Sequence, residues 1–248
     1  RAFVILEAAQ RAELDAITAK HDQWCPLLPW GSDAGTIGGA LARGERGPTS
    51  ASLGAPRDLA LGLTFVDGRG SVVSAGGRVV KNVAGFDLTR VLIGSWGTLG
   101  IITAASLRLR ARPVVRETWI VQAHTVSGAA LDTFVRGPYA PIACERISAA
   151  LAVTLGAPDD DHIVLWLAGG ASHVAAARAE LLVIAPAREI SEDVWRSVRA
   201  HGPYAAPPAA QRMSPVLAAL NARVRHLFDP DGVFVSPAML TTNAFVHA

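Results

Sequence analysis

Glycines recur through the stretch from Gly76 to Ile102 at intervals that neither a long helix nor an uninterrupted strand tolerates. Six glycines occur among these 27 residues, and the segments between them are short and apolar. Glycine permits sharp turns and a close approach of the backbone to a neighbouring group. The pattern predicts a chain that turns repeatedly, either at the corners of a sheet or beside a bound ligand.

Two local structures follow from this stretch. Residues 86–93 are predicted to form a short helix, with the Asp87 carboxylate near its start complementing the helix dipole and Gly94 ending it. Gly97 and Gly100 frame a second turn whose amides can face a ligand. A strand then runs from residue 99 to residue 109.

A second glycine-rich segment, Gly35-Thr36-Ile37-Gly38-Gly39, lies about forty residues before Gly77. It lacks the lysine of a P-loop and the G-x-G-x-x-G spacing of a Rossmann site, which argues against both of these classes of nucleotide site. A glycine pair can expose amide groups as an anion-binding nest, and the Thr36 hydroxyl adds a donor. We interpret the segment as a second ligand-lining loop, with simple turn formation as the alternative.

Four motifs in one order resemble the FAD-binding domain of the vanillyl-alcohol oxidase and p-cresol methylhydroxylase family. The motifs cover roughly residues 25–112, and a weaker resemblance reaches the C-terminus through residues 228–234. They are Gly35–Gly39, Arg57–Gly62, Lys81–Leu88 and Gly94–Thr103. Within the family, the chain is most similar to the FAD-binding E-type subunits of bacterial glycolate oxidases.

The resemblance implies an α+β fold, in which a p-cresol methylhydroxylase-type FAD-binding domain, incomplete at its N-terminus, carries a partial ferredoxin-like cap. It implies FAD as cofactor and oxidation of a small 2-hydroxy acid, glycolate to glyoxylate, by hydride transfer to the flavin. The implied partners are a catalytic flavoprotein subunit and an iron–sulfur subunit, which could hold the chain at the inner face of the membrane. The residues expected to contact the cofactor are Gly35, Thr36, Ile37, Gly38, Gly39, Gly100, Ile101 and Ile102.

Departures from the family pattern leave a second hypothesis open. The sequence lacks the R-G-G-G-T-S type of pyrophosphate loop and the H-x-G-D-G-N metal motif, and Val235–Ala238 replaces the usual N-P-G-R segment. The seven histidines are scattered without metal-ligand spacing, so no catalytic base is identified. Lys81 and Asn82 could touch a phosphate or brace the turn at Gly85. The alternative function is a non-catalytic assembly subunit that keeps the flavoprotein fold without FAD.

The chain divides by pattern into three parts: an FAD-binding unit at 1–112, a cap at 113–210, and a returning C-terminal segment at 211–248. Arg112-Pro113 marks the first boundary, because a strand ends at a proline there and the composition then changes.

The same patterns predict the helices and strands of each part. In the first part they are a helix at 9–20, a polar loop at 44–56, a strand at 59–67, a hairpin turn at 67–70 and a strand at 71–74. In the other two parts they are cap strands at 115–122 and 163–167, cap helices at 127–135 and 171–182, and a helix at 216–228 capped by Ser214.

Composition limits the remaining possibilities. The 248 residues are 50% hydrophobic and carry a net charge of +2 with no basic run, which argues against a nucleic-acid or membrane-surface partner. Cys25 and Cys144 are too isolated in sequence for a disulfide framework or a zinc site. No apolar run suits a signal peptide or a transmembrane helix. These features predict a globular cytoplasmic protein.

Overall fold

Two four-stranded antiparallel sheets organise the chain, joined by a short two-stranded ribbon. The structure is a computed structural model that describes residues 3–7, 11–31, 35–77, 87–202 and 215–234. Helices lie beside both sheets, so the predicted α+β class is confirmed. No helix in these ranges has both the length and the apolarity needed to cross a bilayer.

The first sheet has the strand order β1-β5-β3-β4, and neighbouring strands run antiparallel. The strands of this half are β1 (Phe3–Glu7), β2 (Gln23–Trp24), β3 (Ala60–Val66), β4 (Val72–Gly76), β5 (Ile101–Arg108) and β6 (Arg110–Ala111), with β2 and β6 forming the ribbon. Its helices are α1 (Arg11–Ala19), α2 (Ile37–Arg43), α3 (Ser50–Leu53), α4 (Pro56–Leu59) and α5 (Leu88–Leu92). The buried side chains of Leu41, Phe65 and Leu107 lie at the centre of its core.

The second sheet has the order β10-β7-β9-β8 and the βαββαβ connectivity of a ferredoxin-like unit. Its elements are β7 (Val115–Gln122), α6 (Gly128–Arg136), β8 (Ala143–Ile147), α7 (Ala149–Thr154), β9 (His162–Gly169), α8 (Ala171–Ile184), β10 (Ala187–Ile190) and α9 (Val194–His201). The sequence pattern located only two of these four strands. β8 and β10 were missed because both are short and neither alternates cleanly between apolar and polar residues.

Each face of the second sheet has its own hydrophobic cluster. On one face, Phe134 and Leu181 from α6 and α8 pack with Leu165 of β9. On the other, Trp166 and Trp195 stack with their ring centroids 5.5 Å apart. Trp24 and Trp30, which precede the first glycine motif, join this second cluster. The expectation that these two tryptophans fill core is therefore confirmed.

Short-range sequence signals account well for the turns of the first half. The Asp67 carboxylate accepts hydrogen bonds from the amides of Arg69 (2.9 Å) and Ser71 (2.8 Å), which closes the predicted hairpin between β3 and β4. Asp87 is the N-cap of α5 and accepts from the Arg90 amide at 3.2 Å. Gly94 follows that helix with φ of 85°, as a helix-ending glycine requires.

The predicted loop at 44–56 is only partly a loop. It contains α3 and the start of α4, so the following strand begins at Ala60 and not at residue 59. Two of its polar residues, Glu45 and Thr49, are buried, and the Thr49 hydroxyl donates to the carbonyl of Pro26 at 3.1 Å. A polar, breaker-rich sequence therefore lies inside the fold, because a distant segment supplies its hydrogen-bond acceptor.

The C-terminal helix α10 (Pro215–Phe228) ends against the first sheet. The rings of Phe228 and Phe65 lie 6.1 Å apart, and the Gly68 amide donates to the Phe228 carbonyl at 2.7 Å. Asp229 closes the segment by accepting from the amides of Val233 (2.7 Å) and Phe234 (3.0 Å). The predicted roles of Lys81, Asn82, Gly85, Ser214 and Val235–Ala238 fall on residues outside the described ranges.

Candidate functional site

The two glycine-rich segments meet at a cavity between α2 and β5, with a volume of about 290 Å³. This volume is close to the lower end of the range for small-molecule sites. Seven of the eight expected contact residues line it: Thr36, Ile37, Gly38, Gly39, Gly100, Ile101 and Ile102. Gly35 lies just before the lining and is exposed. Segments some sixty residues apart in sequence are thus brought to one place.

Local capping fixes α2 at the edge of the cavity. Thr36 is its N-cap, and the Thr36 hydroxyl oxygen accepts from the Gly39 amide at 3.1 Å. Gly44 ends the helix in the left-handed conformation, with φ of 61°. The threonine that the sequence suggested as a ligand donor is therefore also a structural cap, and its hydroxyl hydrogen is still able to donate.

Backbone hydrogen bonds join the first glycine segment to the second. The amide of Gly94 donates to the Leu41 carbonyl at 3.2 Å, and the amide of Trp96 donates to the Ala42 carbonyl at 2.8 Å. A Cβ atom built on Gly44 would lie 2.9 Å from Gly94 Cα, so glycine is required for this approach. The two segments are held in register by main-chain contacts that depend little on side-chain identity.

The turn that carries Gly97 to the cavity has an unusual backbone. Trp96 has φ of 56°, a conformation that a bulky side chain rarely adopts, and it lies between Gly94 and Gly97, which also have positive φ. The turn is braced where the Thr98 hydroxyl donates to the Ser95 carbonyl at 2.6 Å. Such strain is common at ligand-binding loops, where the surrounding structure maintains it.

The cavity lining is small and uncharged. The lining also contains Gly97, whose turn was expected to face a ligand, and it contains Ala42, Thr103, Ala104 and Ala105, which the sequence interpretation had not assigned to the site. The signal that could have found Thr103, Ala104 and Ala105 is the run of small residues from Thr103 to Ser106 within β5. Backbone groups and apolar surface dominate such a lining, so it suits an extended, partly apolar ligand better than a metal ion or a small anion.

Part of an FAD molecule fits this cavity, because the glycines of the lining have no side chains to fill it. Nothing lies within 4 Å of a Cβ atom built on Gly97, whereas one built on Gly38 or Gly100 would press against backbone atoms. Side chains at these positions would narrow the cavity or displace its walls. The residues that would hold the nucleotide are Thr36, Gly38 and Gly39 from α2, and Gly100 and Ile101 from the start of β5.

This cavity offers no group for acid–base chemistry. Its lining contains no histidine, carboxylate, lysine or tyrosine. Among the described residues, no cluster of histidine, cysteine, aspartate and glutamate side chains could hold a metal. His162 is buried and its Nδ1 lies 2.7 Å from the Asp160 carbonyl oxygen, while His124 Nδ1 lies 2.7 Å from a carboxylate oxygen of Asp160. These histidines have structural partners, in agreement with the sequence interpretation.

Comparison with protein families gives one match in this region. Residues 3–76 match the family described as "FAD binding domain". The matched range contains β1 to β4 and the first glycine segment, and so includes one wall of the cavity.

Curated relatives match the chain over part of its length. It is 35% identical over 119 residues to the glycolate oxidase subunit GlcD of Bacillus subtilis, covering 47% of this chain and 25% of that protein. It is 39% identical over 102 residues to the glycolate oxidase subunit GlcE of Escherichia coli, covering 40% and 29%. It is 35% identical over 97 residues to the D-lactate dehydrogenase of Archaeoglobus fulgidus, covering 39% and 22%. The matched segments amount to about a quarter of the length of these relatives.

Solved structures show the same fold over a larger share of the chain. An alkyldihydroxyacetonephosphate synthase superposes with a TM-score of 0.62 at 20% identity, covering 80% of this chain and 42% of that one. At this identity the likeness concerns the fold alone. It covers a larger share of the chain than the matched family range does.

Proposed function

We propose, from the premise that this chain carries an FAD-binding domain in residues 3–76, that it is an FAD-binding subunit of a glycolate oxidase-type complex. The complex would oxidise a small 2-hydroxy acid by hydride transfer to the flavin, with glycolate to glyoxylate as the expected reaction. The family and the cofactor predicted from the four motifs agree with the match and with the named relatives.

A single observation carries the proposal: residues chosen for their resemblance to flavin-binding motifs line one uncharged cavity. They come from two segments that are distant in sequence and joined by hydrogen bonds from Gly94 and Trp96. Turn-forming glycines with only a structural role would have no reason to surround a common space. The geometry therefore favours a shared ligand over turn formation alone.

In this proposal the protein supplies positioning and exclusion of water. The backbone of Gly38 and Gly39 would lie against the nucleotide, and the Thr36 hydroxyl would donate to one of its oxygens. Ile101 and Ile102 would cover its apolar surface from β5. Bound FAD supplies the hydride acceptor, which no side chain can provide.

Partners are part of the proposal. Two of the similar proteins are named as subunits of glycolate oxidase, which supports a multi-subunit assembly for this chain as well. We assign it a catalytic flavoprotein subunit and an iron–sulfur subunit as partners, because electrons leaving a flavin need an acceptor. We also place the assembly in the cytoplasm, at the inner face of the membrane.

Flavin content of the purified protein tests the proposal directly. The protein is expressed alone and together with its co-purifying subunits, and its absorption spectrum and the cofactor released on denaturation are measured. We expect bound FAD and bleaching of its absorbance when glycolate or D-lactate is added without oxygen. Protein that is folded but free of flavin in both preparations would overturn the proposal and favour the assembly subunit without FAD.

A further inference from the structure

A second cavity, of about 460 Å³, lies in the ferredoxin-like unit, and the described linings of the two cavities share no residue. Its walls come from β8, α7 and the end of α9, and Trp30, from the loop before α2, completes it. This volume falls within the range of small-molecule sites. Because the cavity is not formed by the two glycine-rich segments, it suits a different class of ligand from the first.

Apolar side chains form much of its walls. Ile147, Leu151 and Val198 line the cavity together with Trp30, and all four are buried. They belong to the hydrophobic cluster on this face of the second sheet, either as members of the cluster or as its lining. Such walls favour an organic ligand with an apolar portion over a hydrated inorganic ion.

Glu145 is the only acidic residue among the described residues that line this cavity. It precedes Arg146 in β8, so the two side chains point to opposite faces of the sheet. Arg146 pairs with Asp161 at 3.0 Å. Among the described residues, none donates a hydrogen bond to the Glu145 carboxylate or forms an ion pair with it. The carboxylate therefore borders the cavity without a cation.

The elements packed around Glu145 do not supply the missing charge. The described residues that α7 contributes to the lining are uncharged. His201, at the end of α9, is the titratable side chain opposite, and its Nδ1 lies 2.8 Å from the Ser197 carbonyl oxygen. Burial raises the pKa of Glu145 to about 7, and no nearby positive charge offsets this effect.

Two other carboxylates show what Glu145 lacks. The side chain of Glu117 is 11% exposed and accepts from Arg178 at 2.7 Å. The side chain of Asp229 is fully buried and lies 3.7 Å from Arg225, with two backbone amides as further donors. Where the fold withdraws these carboxylates from water, it supplies a cation. A carboxylate withdrawn without one costs stability, so Glu145 points to a cation from outside the described fold.

We propose that the second cavity binds a small organic cation, whose ammonium group pairs with the Glu145 carboxylate and whose apolar chain lies against Leu151 and Val198. An ammonium group has three N–H donors, and the carboxylate oxygens accept from it. The Thr154 hydroxyl donates to the Leu151 carbonyl at 2.7 Å, so its oxygen can accept another of these donors. Trp30 adds the kind of aromatic surface that attracts organic cations.

A metal ion suits this cavity less well. Calcium and magnesium ions need about six or more oxygen ligands. No cluster of histidine, cysteine, aspartate and glutamate side chains in the described part of the chain could hold a metal. One carboxylate beside apolar walls matches an ammonium group on a carbon chain. The site requires no flavin, so this inference goes beyond the proposed function and does not depend on it.

Ionisation of Glu145 tests the proposal by carbon NMR of the full chain labelled at the glutamate carboxyl carbon. Glu145→Gln identifies the resonance of Glu145. The probe is n-butylammonium chloride, with n-butanol as its neutral analogue and potassium chloride as the salt control. We expect n-butylammonium to lower the pKa of Glu145, because a bound cation stabilises the ionised carboxylate. An unchanged titration, or the same change with either control, overturns the proposal.

Affinity for n-butylammonium should also depend on pH. The probe stays charged at pH 6 and at pH 8, as a lysine does. Glu145, with a pKa of about 7, is mostly protonated at pH 6 and mostly ionised at pH 8. Binding measured by calorimetry should therefore be about tenfold tighter at pH 8 than at pH 6. Equal affinity of the wild type at the two pH values would contradict the pairing with Glu145.

Two variants identify the carboxylate responsible. Glu145→Gln should bind n-butylammonium about tenfold or more weakly than the wild type at pH 8, because it loses a charged hydrogen-bond acceptor. The exposed Glu189→Gln, in β10 of the same sheet, is the matched control and should bind like the wild type. Wild-type affinity in Glu145→Gln, or an equal loss in both variants, overturns the assignment to Glu145.

Chain length separates binding in the cavity from an ion pair at the surface. Methylammonium and n-butylammonium carry the same charge and differ by three CH₂ groups. Each CH₂ group buried against Leu151 and Val198 should strengthen binding by up to about fourfold. Equal affinities of the two probes would mean that the apolar walls are not used, which contradicts the proposal.

The two proposals fail separately. If the wild-type protein holds no flavin, the proposed function is wrong, while the titrations with n-butylammonium still decide the role of the second cavity. If the wild type holds flavin that glycolate reduces but n-butylammonium does not affect Glu145, the proposed function stands and the inference about the second cavity is wrong.

Discussion

Gly38 and Ile102 meet so closely at the first cavity that a Cβ atom built on Gly38 would lie 3.1 Å from the Ile102 carbonyl oxygen. That oxygen belongs to β5, in which Ile102 pairs with Phe65 of β3, and this pairing limits how far the strand can move. A side chain at position 38 must therefore displace α2 from the strand or project into the cavity.

Gly38→Val should abolish flavin binding while the core remains folded. The branched side chain would press against β5 and take up cavity space, with a destabilisation of about 1–3 kcal/mol from overpacking. Flavin absorbance after purification and chemical denaturation measure the two effects. Gly128→Val is the control, since nothing lies within 4 Å of a Cβ atom at that position. Full flavin occupancy in Gly38→Val would remove Gly38 from the site.

Gly100→Ala should destabilise the first sheet as well as the cavity. A Cβ atom there would lie 2.9 Å from Cδ2 of the fully buried Phe65 and 3.0 Å from the Val66 carbonyl oxygen. We expect a loss of about 1–3 kcal/mol in unfolding free energy, because neither the ring nor the strand has room to yield. Denaturant titration of Gly100→Ala and of the control Gly128→Ala measures the unfolding free energy of each variant. Equal stability of the two variants would contradict this packing argument.

Asp229→Asn should release the segment that follows α10. Burial acts to raise the pKa of Asp229, but hydrogen bonds from the amides of Phe234 and Val233 and the nearby Arg225 outweigh it, so the pKa is lowered. The carboxylate therefore stabilises the fold above its unfolded pKa of about 3.9. This contribution is lost as pH falls through the lower folded value. Amide hydrogen exchange at Val233 and Phe234 should accelerate in the variant, whereas the exposed Asp231→Asn should leave it unchanged.

Glu145→Gln should stabilise the protein at pH 8 more than at pH 5. Burial raises the pKa of Glu145 to about 7, so the folded chain binds a proton that the unfolded chain releases above about pH 4.3. The free energy of unfolding of the wild type then falls as pH rises from about 4.3 to 7. The Glu145→Gln variant does not lose this stability, because its side-chain amide is uncharged at every pH. One pKa unit corresponds to about 1.4 kcal/mol. Because the side chain is partly exposed, we expect a total difference of about 1 kcal/mol.

Thermal unfolding of Glu145→Gln and Glu189→Gln at the two pH values measures this effect. The exposed control should show no such pH dependence. Parallel pH curves for wild type and Glu145→Gln would mean that Glu145 is solvated or paired in solution.

Sequence reasoning succeeded where the determining forces are local. The helix start near Asp87, the hairpin at Asp67 and the helix-ending Gly94 depend on groups within a few residues of one another. Family motifs also identified most of the first cavity's lining. Whether those residues hold FAD remains a prediction.

The features that sequence reasoning missed depend on tertiary partners. β8 becomes a strand because β9 supplies its hydrogen bonds, although its own sequence lacks a strand pattern. The raised pKa of Glu145 could not be predicted from the sequence, since it results from the burial of the side chain in the folded chain. The sequence likewise assigns Thr49 to a polar loop, because its hydrogen bond to the carbonyl of Pro26 is known only from the structure.

Trp24 and Trp30 precede the first glycine motif in sequence but pack with Trp166 and Trp195 of the second sheet. The end of α9 is tied to the same segment, since the Gly31 amide donates to the Arg199 carbonyl at 2.8 Å and Arg199 donates to the Pro29 carbonyl at 3.3 Å. Cleaving the chain after Arg112 would therefore cut through a shared core and leave large aromatic surfaces exposed on both fragments. The two halves should melt in one cooperative transition, and neither should be recoverable as an independently folding piece.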